Sequence, residues 1–198
     1  MSSTQSLRYV ASLQLHRLDH LVSLFHRQRT DLCDSLSKLI TAEGQLEVME
    51  ARQKSSIERN GSMSIGLRRA LESLMTRQGS LKTQVEDTLE EMNAISSNVN
   101  QLYATIASDL GNIDTNSELA EYSRASEAST FNYEYRELQR AVDIIGEQAK
   151  LLSSEIRVKI LQYNNCPVVE HKRLLTAWSS LPAGKDQEMD DLASMMLS

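Results

Sequence analysis

The chain has 198 residues, of which 40% are apolar and 5% aromatic, and it carries a formal net charge of −6. This acidic balance argues against nucleic acid as the main partner, because phosphate binding requires a concentrated basic surface. Only two prolines and seven glycines interrupt a sequence rich in Leu, Ser, Glu, Gln and Arg, so the composition predicts an all-α protein.

The first predicted helix extends from about Gln5 to about Glu58. Its apolar residues recur mostly three and four positions apart, which places them on one side of a helix. Asn60 and Gly61 then interrupt the pattern, and both residue types tolerate a positive φ angle. The sequence therefore predicts that the chain reverses direction at this point.

The second predicted helix begins between Ser62 and Leu67 and contains a nearly unbroken apolar stripe. The stripe residues alternate four and three positions apart, which is the sequence condition for coiled-coil packing. They are Leu67, Leu71, Leu74, Gln78, Leu81, Val85, Thr88, Met92, Ile95, Val99, Leu102 and Ile106. Turn-forming residues at 111–117 predict that this helix ends near Gly111.

The third predicted helix begins at a capping box formed by Thr115 and Glu118, or at Ser117 as an alternative N-cap, and extends to about Asn165. Pro167 ends it, because proline lacks the amide proton and disfavours helix in the preceding residue. The same apolar spacing recurs at Ala128, Phe131, Tyr135, Leu138, Val142, Ile145, Ala149, Leu152, Ile156, Lys159 and Tyr163.

A smaller region follows the third helix. A short amphipathic helix is predicted from Val168 to Leu181, and acidic residues are frequent in the sequence after it. We therefore predict two parts. Residues 1–165 form a long three-helix coiled-coil bundle, and residues 166–198 form the short helix and an acidic, mobile tail.

The order of these elements favours an elongated antiparallel coiled-coil bundle, because three long helices are joined by two predicted reversals. Polar residues interrupt the stripes at Gln78, Thr88 and Lys159. Either they fix the register of the helices, since a misaligned neighbour would leave them unpaired, or they occupy partly exposed positions.

Apolar residues outside the stripes indicate a surface for another protein chain. They either broaden the core of a monomer or bind a partner, in a homodimer or a hetero-complex. A tryptophan near the C-terminus could anchor an interface or could equally pack on its own bundle. The predicted partner-binding residues are Ile144, Leu151, Val158, Leu161, Leu174 and Trp178.

Basic residues cluster around the first predicted reversal, and a helical hairpin would gather them at one end of the bundle. We call this cluster the basic tip; it comprises Arg52, Lys54, Arg59, Arg68 and Arg69. These side chains either bind an anionic membrane or an acidic protein surface, or they are ordinary solvated residues. The acidic tail, which includes Asp186 and Glu188, could fold back and cover the tip.

Sequence motifs for catalysis are missing, since the chain has no phosphate-binding glycine loop, no Gly-x-Ser-x-Gly and no His-Glu-x-x-His. His16 and His20 share a helix face at a spacing that suits a metal ion, but two histidines leave at least one ligand unsupplied. Cys33 and Cys166 have no neighbouring cysteine and favour reduced thiols. We expect no catalytic residue, no cofactor and no bound metal.

These observations favour a non-catalytic coiled-coil structural or scaffold subunit of a multiprotein assembly, of the cytoskeletal, trafficking or chromosome-segregation type. The alternative is a BAR-like dimeric helical module that binds membranes through its basic residues. Neither a signal peptide nor a run of eighteen apolar residues occurs in the sequence. The expected location is therefore the cytoplasm, including the cytoskeleton or the surface of an organelle.

Overall fold

The computed structural model describes residues 3–115 and 125–179, with side chains described for 9–59, 61–111, 133 and 135–179. Every element within these ranges is helical and none is a strand, which confirms the all-α prediction. The elements are α1 (Ser3–Asn60), α2 (Ile65–Thr115), α3 (Ala125–Asn165), a 3-10 turn (Val168–Glu170) and α4 (His171–Ser179).

The boundary between α1 and α2 lies where the sequence predicts it. Gly61 has a φ angle of 69°, and its N–H donates to the carbonyl of Ile57 at 2.9 Å, which closes the last turn of α1. The hydroxyl of Ser64 accepts the N–H of Leu67 at 3.2 Å and caps the start of α2. Both ends are therefore determined by local backbone chemistry.

The predicted end of the second helix is wrong. α2 continues through Gly111 and Asn112 and ends at Thr115. The reason is energetic, since a glycine or asparagine inside a helix costs only about 1 kcal/mol or less, which is too little to stop a helix. Thr115 is thus the last residue of α2, and Ser117 lies outside the described residues.

The end of α3 agrees with the prediction, since the helix ends at Asn165, two residues before Pro167. Pro167 has an extended backbone with φ −61° and ψ 148°, and its carbonyl accepts the N–H of Glu170 at 2.8 Å. A short helix then follows as predicted, but a 3-10 turn precedes its α-helical part. The acidic tail, residues 183–198, lies outside the described residues.

The described residues divide into two compact units, and each of the three long helices contributes to both. The first unit takes its described residues from 3–26 and 93–157, and the second takes them from 27–92 and 158–179. Each unit is a helical bundle with an apolar core. Buried core residues of the first unit include Leu18, Phe25, Val99, Ile106, Leu138, Ile145 and Ile156; those of the second include Leu32, Leu36, Leu39, Val85, Met92, Leu174 and Trp178.

Small and polar residues join α2 to α3 in the first unit. The hydroxyl oxygens of Ser96 and Ser153 lie 3.0 Å apart, and the Asn100 amide nitrogen donates to the Ser153 hydroxyl at 2.8 Å. At Gly146 an added Cβ would lie 2.8 Å from Cε2 of Tyr103. The missing side chain of Gly146 therefore lets the tyrosine ring pack directly against the α3 backbone.

This contact leads to a prediction about two helical glycines. Gly79→Ala is expected to raise the free energy of unfolding by about 0.5–1 kcal/mol, because alanine is the better helix former and nothing lies within 4 Å of the new methyl group. For Gly146→Ala the increase in the free energy of unfolding is expected to be about 1 kcal/mol smaller, because the ring of Tyr103 must move to make room for the new methyl group. Denaturant titration of both variants measures the difference.

The control for this prediction is Gly146→Ala introduced into a Tyr103→Ala variant and compared with Tyr103→Ala alone. Without the tyrosine ring, alanine at position 146 should stabilise the protein as it does at other helical positions. Equal effects of alanine at Gly79 and Gly146 in the presence of Tyr103 would contradict the prediction.

Candidate functional site

An exposed apolar surface lies along α3. The side chains of Leu151, Val158 and Leu161 are 59%, 46% and 53% exposed, and that of Ile144 is half-buried. Ile144 and Leu151 belong to the first unit, and Val158 and Leu161 belong to the second. In the sequence Ile144, Leu151 and Val158 are spaced by seven residues, which is the spacing of a coiled-coil stripe. We call these four residues the α3 surface; its members lie outside the buried stripe of α3.

Leu174 and Trp178, in contrast, are buried inside their own unit, with exposures of 7% and 1%. The Trp178 indole N–H donates to Oε1 of Gln162 at 2.8 Å, and Nζ of Lys159 lies 4.9 Å from the centre of the indole ring. Of the two uses that the sequence allows for Trp178, the structure places it packed on its own bundle. These two residues therefore do not belong to an exposed partner surface.

The start of α4 is held by a buried polar cluster. Nδ1 of His171 lies 3.1 Å and 3.2 Å from the two carboxylate oxygens of Glu43. The imidazole ring stacks on Tyr163 with 5.9 Å between ring centres and 13° between ring planes. Only 8% of the His171 side chain and 11% of the Glu43 side chain are exposed. This cluster joins α4 to both α1 and α3.

Sequence reasoning missed this cluster for a physical reason. Glu43 and His171 are 128 residues apart in sequence, and neither stands in a spacing that identifies a partner. The one local signal is that His171 follows Pro167 at the start of an amphipathic segment. Only the packing of α4 onto α1 brings the two side chains together.

Burial of Tyr163 raises its pKa from 10.0 to about 12, and the negative charges of Glu86 and Glu43 contribute to the increase. Above pH 10 an unfolded chain releases this proton, whereas the folded chain keeps it until about pH 12. The free energy of unfolding is therefore expected to fall across this range, by about 2 kcal/mol or less. Titration of the tyrosinate absorbance and denaturation at several pH values measure both effects.

Tyr163→Phe is the matched control for the pH dependence, because phenylalanine keeps the ring and has no titrating proton. The fall in stability between pH 10 and 12 should become smaller in this variant. An identical pH profile for the two proteins would show that Tyr163 does not cause it.

The polar stripe residues have different surroundings. Thr88 is 7% exposed and donates to the carbonyl of Gln84 in its own helix at 2.7 Å, so its hydroxyl needs no partner helix. Gln78 is half-buried. Lys159 is 1% exposed and lies against Trp178, so its stem packs in the core.

All residues of the basic tip are exposed: Arg52, Lys54, Arg59, Arg68 and Arg69. The tip lies entirely within the second unit, on the last turns of α1 and the first turns of α2. Its guanidinium and ammonium groups are therefore accessible to an anionic partner.

His16 and His20 are both exposed and line a groove of about 540 Å³ in the first unit, together with apolar residues such as Leu21 and Leu102. Across residues 3–115 and 125–179 no three His, Cys, Asp or Glu side chains are grouped as a metal site requires. Within the same ranges, none of the helices combines the length and apolarity that crossing a bilayer demands.

Comparison with known proteins gives no match. No protein-family model, no curated protein and no solved structure corresponds to this chain.

Proposed function

We propose that this protein is a non-catalytic coiled-coil scaffold subunit that binds a protein partner through the α3 surface. The observation that carries the proposal is the exposure of Leu151, Val158 and Leu161 at 46–59% on one helix. Apolar side chains in heptad spacing are the half of a coiled-coil seam that a second helix completes. A partner helix that packs there would remove these side chains from water.

We infer further that the helices pair as an antiparallel coiled coil. Two contacts in the first unit support this pairing. Ser96 on α2 lies against Ser153 on α3, while Tyr103, seven residues later on α2, lies against Gly146, seven residues earlier on α3. Such a reciprocal change of position is what two antiparallel helices produce.

The experiment is affinity purification of the full chain from its native cell, followed by mass measurement of the intact complex. The double variant Leu151→Ser, Val158→Ser is expected not to bind the partner, because serine removes the apolar contacts while the path of the helix backbone stays the same. The matched control is Val169→Ser, since Val169 is 88% exposed and lies on the 3-10 turn.

Retention of the same partner by the double α3 variant, with unchanged helix content by circular dichroism, would contradict the proposal. The measured mass separates a homodimer from a hetero-complex. A cytoskeletal, trafficking or chromosome-segregation assembly is the setting we propose, and the identity of the co-purified chain tests it.

A membrane-binding module of the BAR-like type is the second candidate, because every residue of the basic tip is exposed. Exposed acidic residues on α2, including Asp87, Glu90 and Glu91, weigh against it. This candidate predicts sedimentation with anionic vesicles that weakens as salt rises, because salt screens surface charge. If the protein is a scaffold subunit, it is expected not to sediment with vesicles at physiological salt.

A further inference from the structure

The helical hairpin formed by α1 and α2 ends in a stretch where no described side chain is buried. The last buried side chain of α1 is that of Ala42, and the first of α2 is that of Leu81. We call residues 43–80 the hairpin end, and all of it belongs to the second unit. Four of its large apolar side chains are 44–73% exposed: Val48, Ile57, Ile65 and Met75. Apolar surface of this kind indicates contact with another molecule.

The two helices of the hairpin end can be compared level by level. Residues 61–64 connect α1 to α2, and so short a connection is typical of antiparallel helices. Val48 and Met49 of α1 line one groove with Leu74 of α2, so these residues lie at one level. Each residue nearer to Gly61 on α1 is then level with one residue nearer to it on α2. Three further pairs share a level in this way: Glu50 with Glu72, Lys54 with Arg68, and Ile57 with Ile65.

One side of the hairpin end continues the side of the hairpin that meets α3 and α4. That side is identified by Tyr163 on α3 and His171 on α4. Glu43 of α1 contacts His171, and besides burial the charges of Glu86 on α2 and of Glu43 raise the pKa of Tyr163. Residues seven positions apart lie on one side of a coiled-coil helix. Seven-residue steps from Glu43 and from Glu86 therefore follow this side toward Gly61.

We call this side the hairpin face. On α1 the seven-residue steps lead to Glu50 and Ile57, and on α2 they lead to Glu72 and Ile65. Positions three or four residues from these complete the same side. In order of level from Glu43 to Gly61, the hairpin face carries an apolar, an acidic, a basic and an apolar pair: Leu46 and Met75, Glu50 and Glu72, Lys54 and Arg68, Ile57 and Ile65. The four charged side chains are exposed.

The hairpin face is complementary to itself when a second copy is turned end to end. On α2 its four positions are symmetric about position 70. Ile65 therefore opposes Met75 of the second copy, and Arg68 opposes its Glu72. An apolar contact and an opposite-charge contact result on each side of position 70.

The α1 side of the hairpin face has the same symmetry about position 52. Lys54 opposes Glu50 of the second copy, and Ile57 lies within one residue of the level of its Leu46. Positions 52 and 70 share a level by the pairing that the groove establishes. One two-fold axis therefore serves both helices.

We propose that a second copy of this chain packs antiparallel on the hairpin face and forms a two-fold symmetric contact of four helices. Opposite charges then meet near the axis, and apolar side chains meet farther from it. Gly61 of each copy lies level with Glu43 of the other, where His171 begins α4. The second copy thus covers the hairpin face over its whole length.

The other charges of the hairpin end are compatible with this contact. The hairpin end as a whole has six basic and five acidic residues, so two copies meet with little net charge. Glu47 adjoins the acidic pair and Arg69 adjoins the basic pair, so the opposed charges stay balanced. Glu43 is bonded to His171.

The remaining charged residues lie away from the hairpin face. Arg52 lines the groove, whose volume is about 460 Å³, and Arg59 follows it by seven residues on the same side. Residues two positions apart on a helix do not face each other, so Arg52 and Lys54 lie on different sides. Arg77 lies one turn from Leu74, which also lines the groove, and Glu58 is adjacent to Arg59.

The size of the contact predicts a reversible dimer. From Glu43 to Gly61 α1 rises about 27 Å, and two helices side by side are about 20 Å wide. Each copy therefore covers about 540 Å² of the other, and the dimer buries roughly 1,100 Å², which lies just above the lower limit for specific interfaces.

The hairpin face is separate from the α3 surface, and the experiment keeps the two apart. It uses the full chain carrying Leu151→Ser and Val158→Ser, so that the α3 surface does not contribute to self-association. Sedimentation equilibrium over a range of protein concentrations is expected to show a dimer of twice 22.3 kDa. Loss of a native partner by this chain tests the α3 surface alone and leaves the dimer unaffected.

Charge reversal on the hairpin face is the decisive step. Glu50→Lys with Glu72→Lys is the acid variant, and Lys54→Glu with Arg68→Glu is the base variant. Each variant opposes like charges in its own dimer, so its self-association is expected to weaken at least about tenfold. An equimolar mixture of the two is expected to form the dimer again, because every reversed residue then meets an opposite charge. Circular dichroism checks that the helix content is unchanged.

Arg52→Glu with Arg59→Glu is the matched control, because it changes the net charge as much as the base variant does, but on the groove side. Its dissociation constant is expected to stay within about threefold of that of the parent chain. A monomer at every concentration, unchanged self-association of the acid or the base variant, or a mixture that stays monomeric would each overturn the proposal.

Cross-linking provides a second measurement that does not depend on the charge variants. Cys33 and Cys166 are replaced by serine, and Ile65→Cys is combined with Met75→Cys. These positions lie about 15 Å apart along α2, too far for a disulfide within one chain.

Mild oxidation is expected to join positions 65 and 75 of different chains at least about tenfold faster than positions 65 and 48 in the control Ile65→Cys with Val48→Cys. The control is matched because Val48 and Met75 are 53% and 54% exposed. Equal rates for the two cysteine pairs would contradict the antiparallel contact.

Discussion

Trp178→Ala is expected to lower the free energy of unfolding of the second unit by about 3–5 kcal/mol. Trp178 is among the largest fully buried side chains, at 1% exposure, and it fixes a helix of only 9 residues to the bundle. A helix this short is unstable in isolation. Loss of the indole should therefore release α4 as well as leave a cavity beside Lys159. Denaturant titration followed by circular dichroism measures the change.

Two controls separate the parts of this effect. Trp178→Phe keeps an aromatic ring but loses the hydrogen bond to Gln162, so it should cost less than the alanine variant, although the smaller ring also leaves space. Val169→Ala, at an 88% exposed position, should change stability by about 0.5 kcal/mol or less. A cost below about 1 kcal/mol for Trp178→Ala would show that α4 is not anchored by its tryptophan.

His171→Ala is expected to cost about 1–3 kcal/mol, because it leaves the largely buried carboxylate of Glu43 without its hydrogen-bond partner. The side chain of Glu43 is 11% exposed, so water replaces the lost imidazole only partly. The variant also removes the stacked ring from Tyr163. The loss should appear as earlier unfolding in urea and as faster hydrogen exchange of the α4 amides.

A double-mutant cycle with Glu43→Gln tests whether the two residues act together. Once Glu43 is neutral, His171→Ala should cost clearly less than it does in the original chain. Glu47→Gln is a suitable control because Glu47 is exposed on the same helix. Strict additivity of the two substitutions would mean that the short contact between His171 and Glu43 contributes nothing to stability.

Local chemistry explains which helix ends could be predicted. Gly61 ends α1 because its backbone adopts a positive φ, and Pro167 stops α3 because proline cannot continue the hydrogen-bonding pattern. Gly111 is also of a residue type that often ends helices, yet α2 continues past it to Thr115. One residue of low helix propensity does not end a long helix, because many other residues of the helix favour the helical conformation.

The candidate surfaces were predictable to different degrees. The off-stripe positions of Leu151 and Val158 follow from the apolar spacing, and both side chains are exposed. Trp178 could not be assigned from sequence, because a buried and an interfacial tryptophan have the same local pattern. The sequence also did not reveal that no described side chain between Ala42 and Leu81 is buried, since stripe residues there, such as Leu71 and Leu74, continue the same repeat as the buried ones.

The amino-acid sequence by itself determined the helical class, the apolar stripes and the breaks at Gly61 and Pro167, because these depend on residues close together along the chain. Tertiary structure alone decided that Glu43 meets His171 and that Trp178 is buried against Lys159. These features depend on which residues lie at the same level of different helices. That level is set by the summed packing of whole helices, and no short stretch of sequence encodes it.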